Sequence, residues 1–126
     1  MARTEEDGFW YEVYPLSRRL SRDKVKETRA AIKSWRKLLM AEFPTCKPVR
    51  VYLRGRLISQ DDGEVGGLMV DGDDHFKIFL AWSSEWSAIH NAMIEEWTHA
   101  RCHPNKKHDV QYDLEFGIIQ RMHRGE

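Results

Sequence analysis

The chain reads as an α+β domain: a long N-terminal helix, a small three-stranded sheet, and two helices that close the fold. Three observations predict this. Residues 22–42 place apolar side chains at helical spacing behind a serine N-cap. Three short runs between residues 49 and 80 are rich in β-branched and aromatic residues and are bounded by glycine or acidic turns. Helical spacing then returns beyond residue 84. At 126 residues, the chain has the length of one domain and can bury a core without disulfide staples. With 41% hydrophobic and 32% charged residues, it has the balance of a folded chain, not a disordered one.

Residues 1–20 are expected to form an extended segment. Phe9, Trp10, Tyr11, Val13, Tyr14 and Leu16 form an aromatic cluster around Pro15, and their large apolar area predicts packing onto the domain. Ser21 then caps a helix that runs to about Glu42, with Val25, Ile32, Trp35, Leu38 and Leu39 near helical spacing. Pro44 ends it. The strands are Val49 to Leu53, Gly66 to Val70 and His75 to Leu80, with an acidic, glycine-containing turn before the second. Asp71-Gly72-Asp73-Asp74 reads as a tight hairpin turn between the last two. A second helix begins near Ser84 or Ser87 and reaches about Arg101, with Ala88, Ile89, Ala92, Met93 and Trp97 on its apolar side. His103-Pro104-Asn105 breaks the chain. A last helix covers Val110 to His123, with Leu114, Ile118, Ile119 and Met122 inward.

Charge and motif content narrow the functional classes. Twenty basic and twenty acidic residues give zero net charge, so no general attraction to nucleic acid or anionic membrane is implied. The distribution is uneven. Arg18 to Lys37 is strongly basic, with only Asp23 and Glu27 opposing, whereas Asp61 to Asp74 holds six acidic residues and no basic one. The basic helix is either a solvated face or a surface that steers an anionic partner such as nucleic acid. Cys46 and Cys102 form no CxxC, so a zinc-ribbon or thioredoxin reading fails. No apolar leader or long apolar run is present, which predicts a cytoplasmic chain that does not enter a membrane. Phosphate-cradling glycine motifs and local Ser-His-Asp or Cys-His signatures are missing too.

The chemistry concentrates on the second helix, in Glu95-Glu96-Trp97-Thr98-His99-Ala100. Residues four apart share a helix face, so Glu95 and His99 project side by side and can both reach one divalent metal. Glu96 points about 100° away and can stand beside a metal-bound water without being a ligand. Two ligands on one helix beside an acid/base is the arrangement a metal hydrolase needs. Alone the spacing is common, and its bland alternative is a surface pair worth a few tenths of a kcal/mol. A second polar cluster, His103, His108, Asp109, Tyr112 and Asp113, follows and offers candidates for a third ligand. His75 and His90 read as structural or exposed, and Trp82, Trp86 and Trp97 as packing around the helix.

These segments resemble SprT-like metallopeptidases, especially their compact bacteriophage and prophage versions. That family carries H-E-x-x-H-A on its active helix, matched here by Glu95-Glu96-Trp97-Thr98-His99-Ala100. A later segment carries its third ligand, matched by Tyr112-Asp113-Leu114-Glu115-Phe116-Gly117. The resemblance spans roughly residues 20 to 126, and only these two segments are specific. It implies a minimal zincin-like core, with His75 to Ala81 as the edge strand that receives a peptide substrate. It implies Glu96 as the catalytic acid/base and His99 as a metal ligand. Glu95 stands where the family has its first ligand histidine, and Tyr112 where it has its third. Glu95 is a workable replacement, since carboxylates bind Zn²⁺ at similar distances. Tyr112 is a poorer ligand, and His108, one helical turn earlier, is the other candidate. Such a harder, more anionic site admits Mn²⁺ or Mg²⁺ as well as Zn²⁺, or holds metal loosely or not at all. The two readings are therefore a metal-dependent peptidase, and an inactive zincin-like relative that binds protein or nucleic acid.

Overall fold

The computed structural model describes residues 3–105 and 107–124. In chain order it contains β1 (Thr4–Glu6), β2 (Phe9–Tyr14), α1 (Arg22–Glu42), β3 (Val49–Arg54), β4 (Arg56–Ser59), β5 (Gly63–Val65), β6 (Gly67–Asp71), β7 (Phe76–Ala81), α2 (Trp86–Cys102) and α3 (Val110–Arg124). It is α+β, with three helices and two small sheets.

The expected helices form close to their expected limits. Ser21 caps α1, its Oγ accepting the Lys24 N–H at 3.4 Å. Asp109 does the same for α3, its Oδ1 accepting the Tyr112 N–H at 3.2 Å. The three expected strands also form and make one sheet, in the order β3-β7-β6. The β6–β7 pair is antiparallel through the expected turn. Gly72 is required there, because a Cβ would stand 2.6 Å from the His75 carbonyl oxygen.

The N-terminal segment is extended chain folded back as a hairpin, β1–β2, turned through Asp7 and Gly8, both at positive φ. This hairpin belongs to a second sheet, β1-β2-β4-β5, whose last two strands lie between the first two expected strands, where no strand is expected.

β7 is also not an edge. It lies between β3, to which it is parallel, and β6, to which it is antiparallel. Being covered on both faces explains its almost unbroken apolar run. Phe76, Ile78 and Leu80 join the main core with Ile32, Leu39, Ile89, Met93 and Trp97 of the helices. Phe79, with Leu68 and Val70 of β6, faces the other way and packs on Tyr11 and Leu57 of the second sheet. The three-stranded sheet is thus the middle layer between helices and the four-stranded sheet. Trp97 anchors the helical side, fully buried, with its indole N–H donated to the Phe43 carbonyl at 2.9 Å.

Three side chains of α3 expected inward, Leu114, Ile118 and Met122, are exposed instead, as is Leu38 on α1. Trp86 is also largely exposed, although its indole N–H reaches the Thr28 hydroxyl at 3.0 Å. On α3 the buried residues are Tyr112 and Ile119. None of the described helices is long and apolar enough to cross a membrane.

Candidate functional site

A cleft of about 310 Å³ opens where α2 passes β6. Its walls include Gly67 and Met69 of β6, Glu95, Glu96 and His99 of α2, His108 before α3, and Asp62 from the β4–β5 turn. β6 is the outer strand of its sheet, so α2 lays its polar face along a strand edge that pairs with no other strand among the described residues.

Glu96 sits at the floor. Gly67 approaches so closely that a Cβ there would lie 3.0 Å from Glu96 Cγ and 3.2 Å from Oε2. A glycine is what lets the carboxyl lie against the strand. Burial pushes the Glu96 pKa up to about 8, and the neighbouring Glu95 charge adds to the rise. A hydrogen bond from the Met69 backbone works the other way, and Asp62 reinforces the rise. A carboxyl poised near neutrality can both take and return a proton.

His99 turns toward His108, their Nε2 atoms 2.8 Å apart. Burial, then the adjacent His108, lowers the His99 pKa to about 4, so the ring is a neutral imidazole at ordinary pH. His108 lies flat on Tyr112, ring centroids 4.3 Å apart and planes 6° from parallel. Tyr112 directs its hydroxyl toward the Glu95 carbonyl oxygen at 3.4 Å. Burial, and then the charges of Glu95 and Glu96, raises its pKa, so the phenol stays protonated. Glu95 lines the cleft and accepts a hydrogen bond from the Asn91 side chain at 3.1 Å.

Of the residues singled out beforehand, Glu95, Glu96, His99 and His108 line one cleft, and Tyr112 packs against His99 and His108. Others in the second polar cluster do not join them as partners. His103 pairs with Asp71 at 3.0 Å, Asp109 caps α3, and Asp113 is exposed. Asp62, Gly67, Met69 and Asn91 were missed. Their only local signal is the Gly66-Gly67 pair at a strand start, because each reaches the site through tertiary packing.

The best-set donors for a cation are His99 and His108, two imidazoles meeting at their Nε2 atoms. Among the described residues, no three His, Cys, Asp or Glu side chains converge as a complete metal-holding group. Comparison with family models, curated proteins and solved structures gives no match for this chain.

Proposed function

We propose that this chain is a metal-dependent peptidase of the SprT-like, zincin type, acting on peptide or protein segments laid along β6. The observation that carries the reading is the meeting of Glu96, His99 and His108 in one cleft beside the outer strand β6. Imidazole nitrogen is a usual ligand of divalent metals, and these two ring nitrogens, 2.8 Å apart, are close enough for one cation to engage both. Glu95, from the same helix, is the carboxylate that would join them. That set suits Zn²⁺ and admits Mn²⁺ or Mg²⁺. A bound cation would supply Lewis-acid polarisation of the scissile carbonyl.

The chain's own residues do the rest. An extended peptide adds to the β6 edge by backbone hydrogen bonds, which aligns its carbonyl with the α2 face. Glu96 orients the attacking water, takes its proton, and returns one to the leaving amine. Tyr112 backs His108 and holds the imidazole toward His99.

The test has two parts. Protein purified without chelator should carry close to one equivalent of a divalent transition metal. It should also cleave an unfolded protein substrate. Glu96→Gln should keep the metal and lower the rate by about 10²–10⁴-fold. A metal-poor protein that Zn²⁺ and Mn²⁺ both fail to activate would remove the reading.

A second groove favours the alternative, a zincin-like relative that binds and does not cut. Arg29, Lys33 and Arg36 of α1 and Arg50 and Arg54 of β3 line a cavity of about 540 Å³. A charge-neutral chain that gathers five cations in one groove offers a track for a nucleic-acid backbone. That function requires oligonucleotide affinity that falls steeply with salt and survives Glu96→Gln unchanged.

A further inference from the structure

α3 carries an apolar row that its own fold does not cover. Val110, Leu114, Ile118 and Met122 are spaced four apart, with relative exposures of 73, 63, 40 and 63%. At that spacing they form one ridge along the helix. The opposite face, with Tyr112 and Ile119, is the one buried in the domain.

A second ridge lies three residues along from the first: Asp113, Gly117 and Arg121. Asp113 and Arg121 are exposed, and neither takes part in an ion pair among the described residues. Gly117 stands midway between them. Within the chain it has no steric justification, since a Cβ there would meet only the end of the Arg121 side chain, at 3.7 Å. A mid-helix glycine costs helix stability, and a close approach of another backbone is a physical reason to keep one.

We propose that α3 pairs with α3 of a second copy of this chain, antiparallel, about a two-fold axis through Gly117. The pattern is self-complementary under that operation. Reversing the helix about Gly117 exchanges position 113 with 121, so each Asp113 meets the other copy's Arg121, twice over. The same reversal sets Leu114 of one copy between Ile118 and Met122 of the other. The absence of a side chain at Gly117 lets the axes approach where the ridges cross. A parallel arrangement would set Asp113 against Asp113 and Arg121 against Arg121.

Sedimentation of the full chain over a concentration series tests this. A discrete species near twice 14.9 kDa is expected. Leu114→Glu with Ile118→Glu should give a monomer with an unchanged far-ultraviolet spectrum. Gly117→Gln should also give a monomer, while its folded state loses nothing, because glutamine is the better helix former. Asp113→Arg and Arg121→Asp should each weaken association about tenfold, through two symmetric pairs made repulsive. The double variant, Asp113→Arg with Arg121→Asp, should restore it. A chain that stays monomeric at the highest concentration overturns the proposal, as does a dimer indifferent to Gly117→Gln. A charge exchange that fails to restore association overturns the antiparallel geometry on which it stands.

Discussion

Two imidazoles that meet nitrogen to nitrogen cannot both keep a proton there, and this makes His108 informative. The Nε2 of His99 faces that of His108 at 2.8 Å, and Tyr112 supports the second ring from behind. If the pair holds a cation, the two aromatic neighbours have different parts. His108→Ala removes a donor nitrogen. Zn²⁺ affinity, measured by calorimetric titration, should fall by at least about 100-fold, since losing mere outer support of a ligand already costs 10–100-fold. Tyr112→Phe removes only a hydroxyl directed at a backbone carbonyl and keeps the stacked ring. Its affinity should stay within about threefold of the parent. A collapse of binding in Tyr112→Phe with retention in His108→Ala would make the phenol, not the imidazole, the third ligand.

At the scale of elements, the approach of β6 to α2 decides how much room the site has. Gly66 and Gly67 are adjacent in sequence but differ in surroundings. A Cβ at Gly67 would crowd Glu96 at 3.0 Å, whereas one at Gly66 would meet only the Ala92 Cβ at 4.0 Å. Gly66→Ala should therefore leave the proposed peptidase activity and the melting temperature near the parent values. Gly67→Val should displace the Glu96 carboxyl and cut kcat/KM by about 10²-fold or more, the scale of a misplaced catalytic group. Equal effects at both positions, measured by steady-state kinetics, would mean that β6 does not brace the carboxyl. The contrast also marks what was legible beforehand. Glu95, Glu96 and His99 stand out through helical spacing, a local property. Gly67 does not, because its role arises only when a strand packs on a helix. The same division holds for the fold. α1 announces itself by its serine cap and periodicity, α2 and α3 by periodicity, and β3, β6 and β7 by composition. β4 and β5 are four and three residues long and gain their identity by pairing with β2 and each other. The central place of β7 rests on a parallel partner far back in the chain, which no local pattern encodes. On α3, Leu114, Ile118 and Met122 look like core, because periodicity identifies an apolar face without saying what covers it.

For the whole molecule, buried titratable groups on opposite sides of the fold set a pH at which it is most stable. His90 stacks on Trp35, ring centroids 4.0 Å apart, and meets His123 at 2.8 Å. Burial, then the charge of His123, lowers its pKa from 6.5 to about 4. His99 behaves alike across the molecule, falling from 6.5 to about 4. For both, the unfolded chain binds a proton more readily than the folded one. Stability is therefore full above about pH 6.5 and is lost as pH falls toward about 4. Each contributes on the order of 1–3 kcal/mol. Glu96 has the opposite sign. Its folded pKa is raised from 4.5 to about 8, so the folded state holds the proton longer. Its contribution is full below about pH 4.5 and is lost as pH rises through about 8, also by a few kcal/mol. Between about pH 4.5 and 6.5 these two histidines, joined by His123, whose pKa burial also lowers, outweigh the one carboxyl, and from about pH 6.5 to 8 the carboxyl dominates. Denaturant unfolding of the chelator-treated protein should thus peak near pH 6.5 and decline on both sides. Glu96→Gln should abolish the alkaline decline and leave the acid limb in place. His90→Gln should flatten part of the acid limb without touching the alkaline one. An alkaline limb that persists in Glu96→Gln would show that the carboxyl at the cleft floor is ionised throughout, and the proton-transfer role assigned to it would lose its physical basis.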